Sequence, residues 1–181
     1  SSMDKQNKSF EEVLIDAKKL GYAETNPAAD LNGDDVASKL KILSSLCFNS
    51  FLNHNIYVEG IKDIDKIDID YANKLGFKIK LLGFSELLDN KIYQRVHPTL
   101  IRKDSYVASI DGVLNAVIID GTPVGQSTIQ GEGAGPSATT SALVSEISSI
   151  LRGNIKFPFS ISNNERKRLK FEKIDNRSFS A

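Results

Sequence analysis

Gly112-Val113-Leu114-Asn115-Ala116-Val117-Ile118-Ile119-Asp120-Gly121-Thr122-Pro123-Val124-Gly125-Gln126-Ser127-Thr128-Ile129-Gln130-Gly131-Glu132-Gly133-Ala134-Gly135-Pro136-Ser137 is the stretch that decides the fold. Two β-branched runs, 113–119 and 124–129, flank Asp120-Gly121, a dipeptide suited to a tight hairpin turn. A glycine-rich loop, 131–135, follows, and then a helical pattern over about 137–151. Strands adjacent in sequence and then a helix, without regular strand–helix alternation, point to an α+β fold: a mixed sheet with helices packed on one face.

Working outward, 9–20 reads as a helix. Ser9 and Glu12 are spaced as a capping box, Phe10, Val13, Leu14, Ala17 and Leu20 form an apolar stripe, and Gly21 stops it. A polar loop over 22–33 contains Pro27 and Gly33. Asp34 or Asp35 then caps a second helix to about Phe51, with Val36, Leu40, Leu43, Cys47 and Phe51 as its buried face. Strands are expected at 56–59, 78–82 and 91–96, with a short helix at 65–75 closed by Gly76. Residues 152–181 are polar and charged. No strand–glycine loop–helix opens the sequence, so no complete dinucleotide-binding half is expected within it.

Composition narrows the function classes. The 181 residues are 40% apolar and 25% charged, which fits a globular domain rather than a disordered one. Lys+Arg and Asp+Glu both number 23, and the short Arg166-Lys167-Arg168-Leu169-Lys170 run lacks interleaved aromatics, so no nucleic-acid partner is expected. No apolar run reaches the roughly 18 residues that cross a bilayer. A lone cysteine, Cys47, fits a reducing, cytoplasmic setting and reads as a small core residue. His54 and His97 stand apart, and no metal site is expected. His54 reads as capping or solvating a helix end, and His97, ahead of Pro98, reads either as the end of a strand or as a catalytic base.

Two constellations carry chemistry. The first is Gly21-Tyr22-Ala23-Glu24-Thr25-Asn26-Pro27-Ala28-Ala29-Asp30-Leu31-Asn32-Gly33-Asp34-Asp35-Val36-Ala37-Ser38-Lys39-Leu40. Asp35 and Lys39 are four apart and share a helix face, beside the apolar Val36 and Leu40. One reading is a lysine held at the edge of the core, next to a carboxylate, ready to pass a proton. The other is a well-capped surface helix with an ordinary ion pair. The second constellation is Gly131-Glu132-Gly133-Ala134-Gly135-Pro136-Ser137. It is either a loop whose backbone approaches a ligand closely or a structural turn into a helix. Glu132 opposes a phosphate there, so the loop suits the border of a cofactor rather than its pyrophosphate.

These segments, in this order, resemble the homoserine dehydrogenases. The resemblance rests on Gly21-Tyr22-Ala23-Glu24, Pro27, Asp30, Leu31-x-Gly33-x-Asp35 and Lys39-Leu40. Ser9 to Leu14 precede them, and Lys78 to Gly83, Val96-His97-Pro98-Thr99-Leu100, Gly112 to Val117 and the Gly133-Ala134-Gly135 loop follow. It implies an oxidoreductase that interconverts L-aspartate 4-semialdehyde and L-homoserine with NADP or NAD, in threonine, methionine and isoleucine biosynthesis. It further implies that Glu24 binds the substrate's amino group with help from Asp30, that Lys39 is the acid, and that Asp35 positions Lys39, or an ordered water, for the transfer. Gly133 and Gly135 would lie against the nicotinamide end of the cofactor. Residues 1–153 would be the catalytic and dimerisation domain, pairing as a homodimer through the sheet, and 154–181 a segment leading toward a regulatory domain. A Rossmann domain would precede it. Without that domain the segment is expected not to bind NAD(P) or turn over. The alternative reading is a dimerisation or ligand-binding module without turnover.

Overall fold

The computed structural model describes residues 12, 13, 15, 16, 28–52, 54–133, 135–154 and 170–171. In chain order the elements are α1 (Ala28–Asn32), α2 (Asp34–Cys47), β1 (Tyr57–Val58), α3 (Lys66–Lys74), β2 (Phe77–Leu88), β3 (Lys91–Arg102), α4 (Tyr106–Ser109), β4 (Leu114–Gly121), β5 (Gly125–Glu132), α5 (Pro136–Leu151) and β6 (Lys170–Phe171). Residues 12, 13, 15 and 16 are helical, within the helix expected at 9–20; Ser9 and Gly21 lie outside the described residues. The chain divides into two compact units, Pro27–Ile64 with Ile79–Thr99 and Lys156–Ala181, and Ser1–Asn26 with Asp65–Lys78 and Leu100–Ile155.

The first unit is built on a mixed sheet, as expected. Its order is β1-β3-β2, with β6 also on β3. β1 and β6 both run parallel to β3, through Tyr57↔Arg95 and Val58↔Val96 and through Lys91↔Lys170 and Ile92↔Phe171. β6 falls in the 154–181 segment that the sequence marks only as polar. β2 and β3 are joined by Asp89 and Asn90, whose φ values of 49° and 61° make a two-residue turn between antiparallel strands. Both strands are 12 residues long, at least twice the expected length. The strand expected at 78–82 runs on through Gly83. In the structure it is where α2 packs, since a side chain there would meet Val36 and Leu40 at 3.3–3.4 Å.

β1 is shorter than expected, and the reason is Pro98. Glu59 N–H donates to Val96 O at 2.8 Å. Continuing a parallel ladder would require the nitrogen of residue 98 to donate back, and proline has no proton there. His97 therefore does not end a strand: β3 continues past it to Arg102, and the neighbouring strand is the one that stops.

Alternation along β3 buries Ile92, Gln94 and Val96. α2 covers this face. Gln94 Nε2 donates to Ser44 Oγ at 2.8 Å and to Ser85 Oγ at 3.2 Å, so the polar core side chain is held by one helix and one strand. Ser45 Oγ donates to Lys41 O at 2.7 Å and accepts from Leu52 N–H at 3.2 Å, which ties down the exit of α2. The buried edge of α2 is thus Ala37, Ser44 and Ser45, rotated from the expected stripe. The helix ends at Cys47, so Cys47 and Phe51 are exposed and the core role expected of Cys47 is corrected. Small side chains let the helix approach the sheet closely, and the larger ones are left on its flanks.

His54 does not act as a helix cap; it is half-buried beside this cluster. Burial holds its imidazole below the usual histidine range, the neighbouring Gln94 side chain works against that, and the Lys41 charge adds to it. The unfolded chain then takes up the proton at a higher pH than the folded one. Stability from this group is complete above its ordinary value of 6.5 and is lost as pH falls below that, toward the lowered folded value. The urea midpoint should fall between about pH 7 and about pH 5, and fall less in His54→Gln. Parallel curves for the two proteins would remove His54 from this account.

In the second unit, α3 starts as its sequence dictates. Asp65 is the N-cap of a capping box in which its own N–H donates to Asp68 Oδ2 at 2.9 Å. Gly76, with φ 83°, ends the turn and accepts from Lys103 N–H at 2.9 Å. Lys78 Nζ donates to Ala108 O at 3.0 Å and pairs with the Asp111 carboxylate at 3.2 Å, largely shielded from water. β4 and β5 form the expected hairpin, with the turn displaced. The register runs from Leu114↔Glu132 to Gly121↔Gly125, so 122–124 make the turn and Asp120 stays in the ladder opposite Gln126. The left-handed residue is Gly125, with φ 78°, rather than Gly121. α5 exposes more than half of Leu143, Val144, Ile147, Ile150 and Leu151.

Candidate active site

The segment expected to be a loop before α2 contains α1, and the two helices meet at Gly33. Its φ of 87° is a left-handed conformation that side chains rarely adopt. A side chain there would also meet Val58 at 3.0 Å and Val96 at 3.4 Å. Gly33 N–H donates to Asp30 O at 3.3 Å, and Gly33 O accepts from Ala37 N–H at 3.0 Å. Gly33, not Asp34 or Asp35, is therefore the N-cap of α2. The two aspartates occupy the first turn, where the helix dipole favours carboxylates.

Asp35 reaches one turn along α2 to Lys39, with Oδ2 and Nζ 2.7 Å apart. The pair is a shoulder of the helix: the lysine side chain is 54% exposed and the aspartate 40%. Of the two readings the sequence leaves open, the exposure matches the surface ion pair rather than a lysine desolvated at the core edge, because α2 turns Ala37 and Ser44 inward instead. Asp30 stands on α1, exposed. One elbow thus carries Asp30, Asp34, Asp35 and Lys39. Glu24 lies outside the described residues.

The elbow rests on the exit of β1. Ile61 N–H donates to Leu31 O at 2.8 Å. Tyr57 Oη donates to Glu59 Oε2 at 2.9 Å on the same edge. Gly60, between them, is a residue the sequence reading did not single out; its only signal is an isolated glycine where a strand gives way to a loop.

His97 is accounted for structurally. Arg95 Nε donates to its Nε2 at 2.9 Å, so that nitrogen is the acceptor and the proton sits on Nδ1, 2.9 Å from Pro98 O. Phe84 stacks on the ring at 5.6 Å, and the Arg95 guanidinium lies 4.7 Å over Phe84. Both nitrogens are engaged in local hydrogen bonds within β3.

In the glycine loop, Gly133 and Gly135 each have a local structural role. Gly133 N–H donates to Val113 O at 3.1 Å, and the place a side chain would take at 133 is filled by the Asn115 amide. Gly135, with φ 110° and ψ 158°, is the N-cap of α5, ahead of Pro136. Among the described residues no group of three or more His, Cys, Asp or Glu is placed to hold a metal ion, and no helix is long and apolar enough to cross a membrane.

Comparison with known proteins adds to this geometry. The family model described as homoserine dehydrogenase matches residues 1–148. A homoserine dehydrogenase of Synechocystis is 44% identical over 83% of this chain, and that of Neisseria gonorrhoeae is 42% identical over 84%. The crystal structure of a homoserine dehydrogenase from Thiobacillus denitrificans matches 96% of the chain with a TM-score of 0.83 at 36% identity. One from S. aureus matches 84% at 0.75 and 38%. The chain spans 36% and 35% of the lengths of the first two and 42% and 39% of the two solved chains.

Proposed function

The chain belongs to the homoserine dehydrogenase family, and from that premise we propose that it is the substrate-binding, catalytic part of an NADP- or NAD-dependent enzyme interconverting L-aspartate 4-semialdehyde and L-homoserine. The observation that carries this reading is the elbow, where the Asp35–Lys39 pair follows Asp30 across one glycine. An ammonium-bearing substrate needs carboxylates, and Asp30, with Glu24, supplies them. Reduction of the aldehyde develops negative charge on its oxygen, where a cation with a proton to give is worth most. Lys39 donates that proton. Asp35, at 2.7 Å, holds the flexible lysine stem in one place. The cofactor supplies or takes the hydride. Gly133 and Gly135 would present backbone to its nicotinamide end, while its phosphates would be held by a dinucleotide-binding domain joined to this segment.

On this reading the enzyme is a cytoplasmic homodimer, paired through the sheet, serving threonine, methionine and isoleucine biosynthesis. Residues 1–153 act as the catalytic and dimerisation domain, and 154–181 lead toward a regulatory domain. Asp30→Asn in the full-length enzyme is expected to raise the KM for L-homoserine by about 10–100-fold, since a carboxylate–ammonium contact is lost, and to leave the KM for NAD(P) unchanged. An unaltered KM for L-homoserine would remove Asp30 from the site.

A second reading, a dimerisation or ligand-binding module without turnover, is favoured by the exposed apolar ridge of α5. A large uncovered apolar patch marks a surface that another body covers. Calorimetric titration with L-homoserine separates the two: binding abolished in Glu24→Ala supports the catalytic reading, and a stable dimer without binding supports the module.

A further inference from the structure

The elbow is shaped from below by a residue that carries no side chain. A Cβ at Gly60 would overlap the Leu31 carbonyl oxygen and come within 2.7 and 2.8 Å of Asn32 Cα and C. These are backbone atoms at the end of α1, so no side-chain rotation relieves the collision. Beside it, Ile61 N–H holds Leu31 O at 2.8 Å. Gly33, one residue further, is packed against Val58 on β1 and Val96 on the neighbouring β3. The exit of β1 therefore seats both the end of α1 and the start of α2, and the absence of a side chain at 60 allows α1 to sit this close.

We propose that Gly60 is a positioning residue for substrate: it sets where the Asp30 carboxylate stands relative to the Asp35–Lys39 pair. It touches no substrate. It acts through the backbone of Leu31 and Asn32, two residues from Asp30. Displacement of α1 moves the group that binds the substrate's amine and leaves the ion pair on α2 in place. The inference rests on the homoserine dehydrogenase reading of the site.

The test is steady-state kinetics in the full-length enzyme. Gly60→Ala should raise the KM for L-homoserine at least about tenfold, with kcat changed less than about threefold and the KM for NAD(P) unchanged, because a displacement near 1 Å is costly at a positioned group. Ile92→Val, which removes a buried methylene away from the elbow, serves as the stability control and should leave both KM values alone. Equal KM changes in the two variants, or no change in a folded Gly60→Ala, would overturn the proposal.

If Gly60→Ala does not fold, the pair Asn32→Gly and Asn32→Ala decides. Asn32 is exposed, so neither change costs packing. Glycine loosens the seated backbone and should raise the KM for L-homoserine; alanine keeps it stiff and should not. No rise in Asn32→Gly, or the same rise in both, would refute the role. If Asp30→Asn and Lys39→Met leave activity intact, the functional reading itself fails. If those two lose activity while Gly60→Ala keeps its KM, only this inference fails.

Discussion

Lys39→Met in the full-length enzyme is expected to lower kcat for L-homoserine oxidation by about 10²–10⁴-fold, the usual worth of a positioned acid or base. Because the proton transfer belongs to the transition state, kcat and kcat/KM should fall together and the KM for L-homoserine should move little. Lys39→Arg should not restore the rate. A guanidinium keeps the charge but does not give up its proton, and its planar fork is a different shape. Asp35→Asn should cost less than Lys39→Met, since the ammonium remains and only its anchor at 2.7 Å is weakened. A Lys39→Met enzyme within about fivefold of wild type would mean that the pair is an ordinary solvated bridge, worth under about 1 kcal/mol.

The second large effect is on stability. Ile92 is fully buried in β3. Ile92→Ala should therefore destabilise the protein by about 2–5 kcal/mol, through lost burial and the cavity left behind. Leu151, at the end of α5, is 82% exposed. Leu151→Ala should fall within about 0.5 kcal/mol of wild type in the same chain. Urea titrations followed by circular dichroism read both. A loss below about 1 kcal/mol at Ile92 would show that the sheet repacks around the site.

The fold class was readable because period-two and 3.6-residue patterns are strong in the long elements. α3 with its capping box and α5 behind Pro136 lie close to where their sequences place them. What could not be read is decided by partners distant in sequence. Gly83 is a breaker by propensity and a packing site in the structure. Pro98 shortens β1, forty residues earlier, by withholding one proton. The turn of the β4–β5 hairpin moved because Gly125, not Gly121, takes the left-handed backbone. The same division holds for the site. Spacing correctly placed Asp35 and Lys39 on one helix face, while the exposure of the pair follows from which side of α2 meets the sheet. Gly60 left almost no trace in sequence, since its importance lies in the backbone of another helix.

The Asp89–Asn90 turn has an evolutionary consequence. Both residues hold left-handed backbones at the tip of two 12-residue strands, so the turn tolerates exchange among Asn, Asp and Gly but not a change in length. Inserting one residue would slide β3 by one place, and every side chain on it would change face. Ile92 and Val96 would go to the outer surface, while Arg95 and His97 would be driven toward Ser44. Natural variation at this tip should therefore consist of substitutions, or of insertions that loop out whole, and single-residue gaps should fall elsewhere along the lineage.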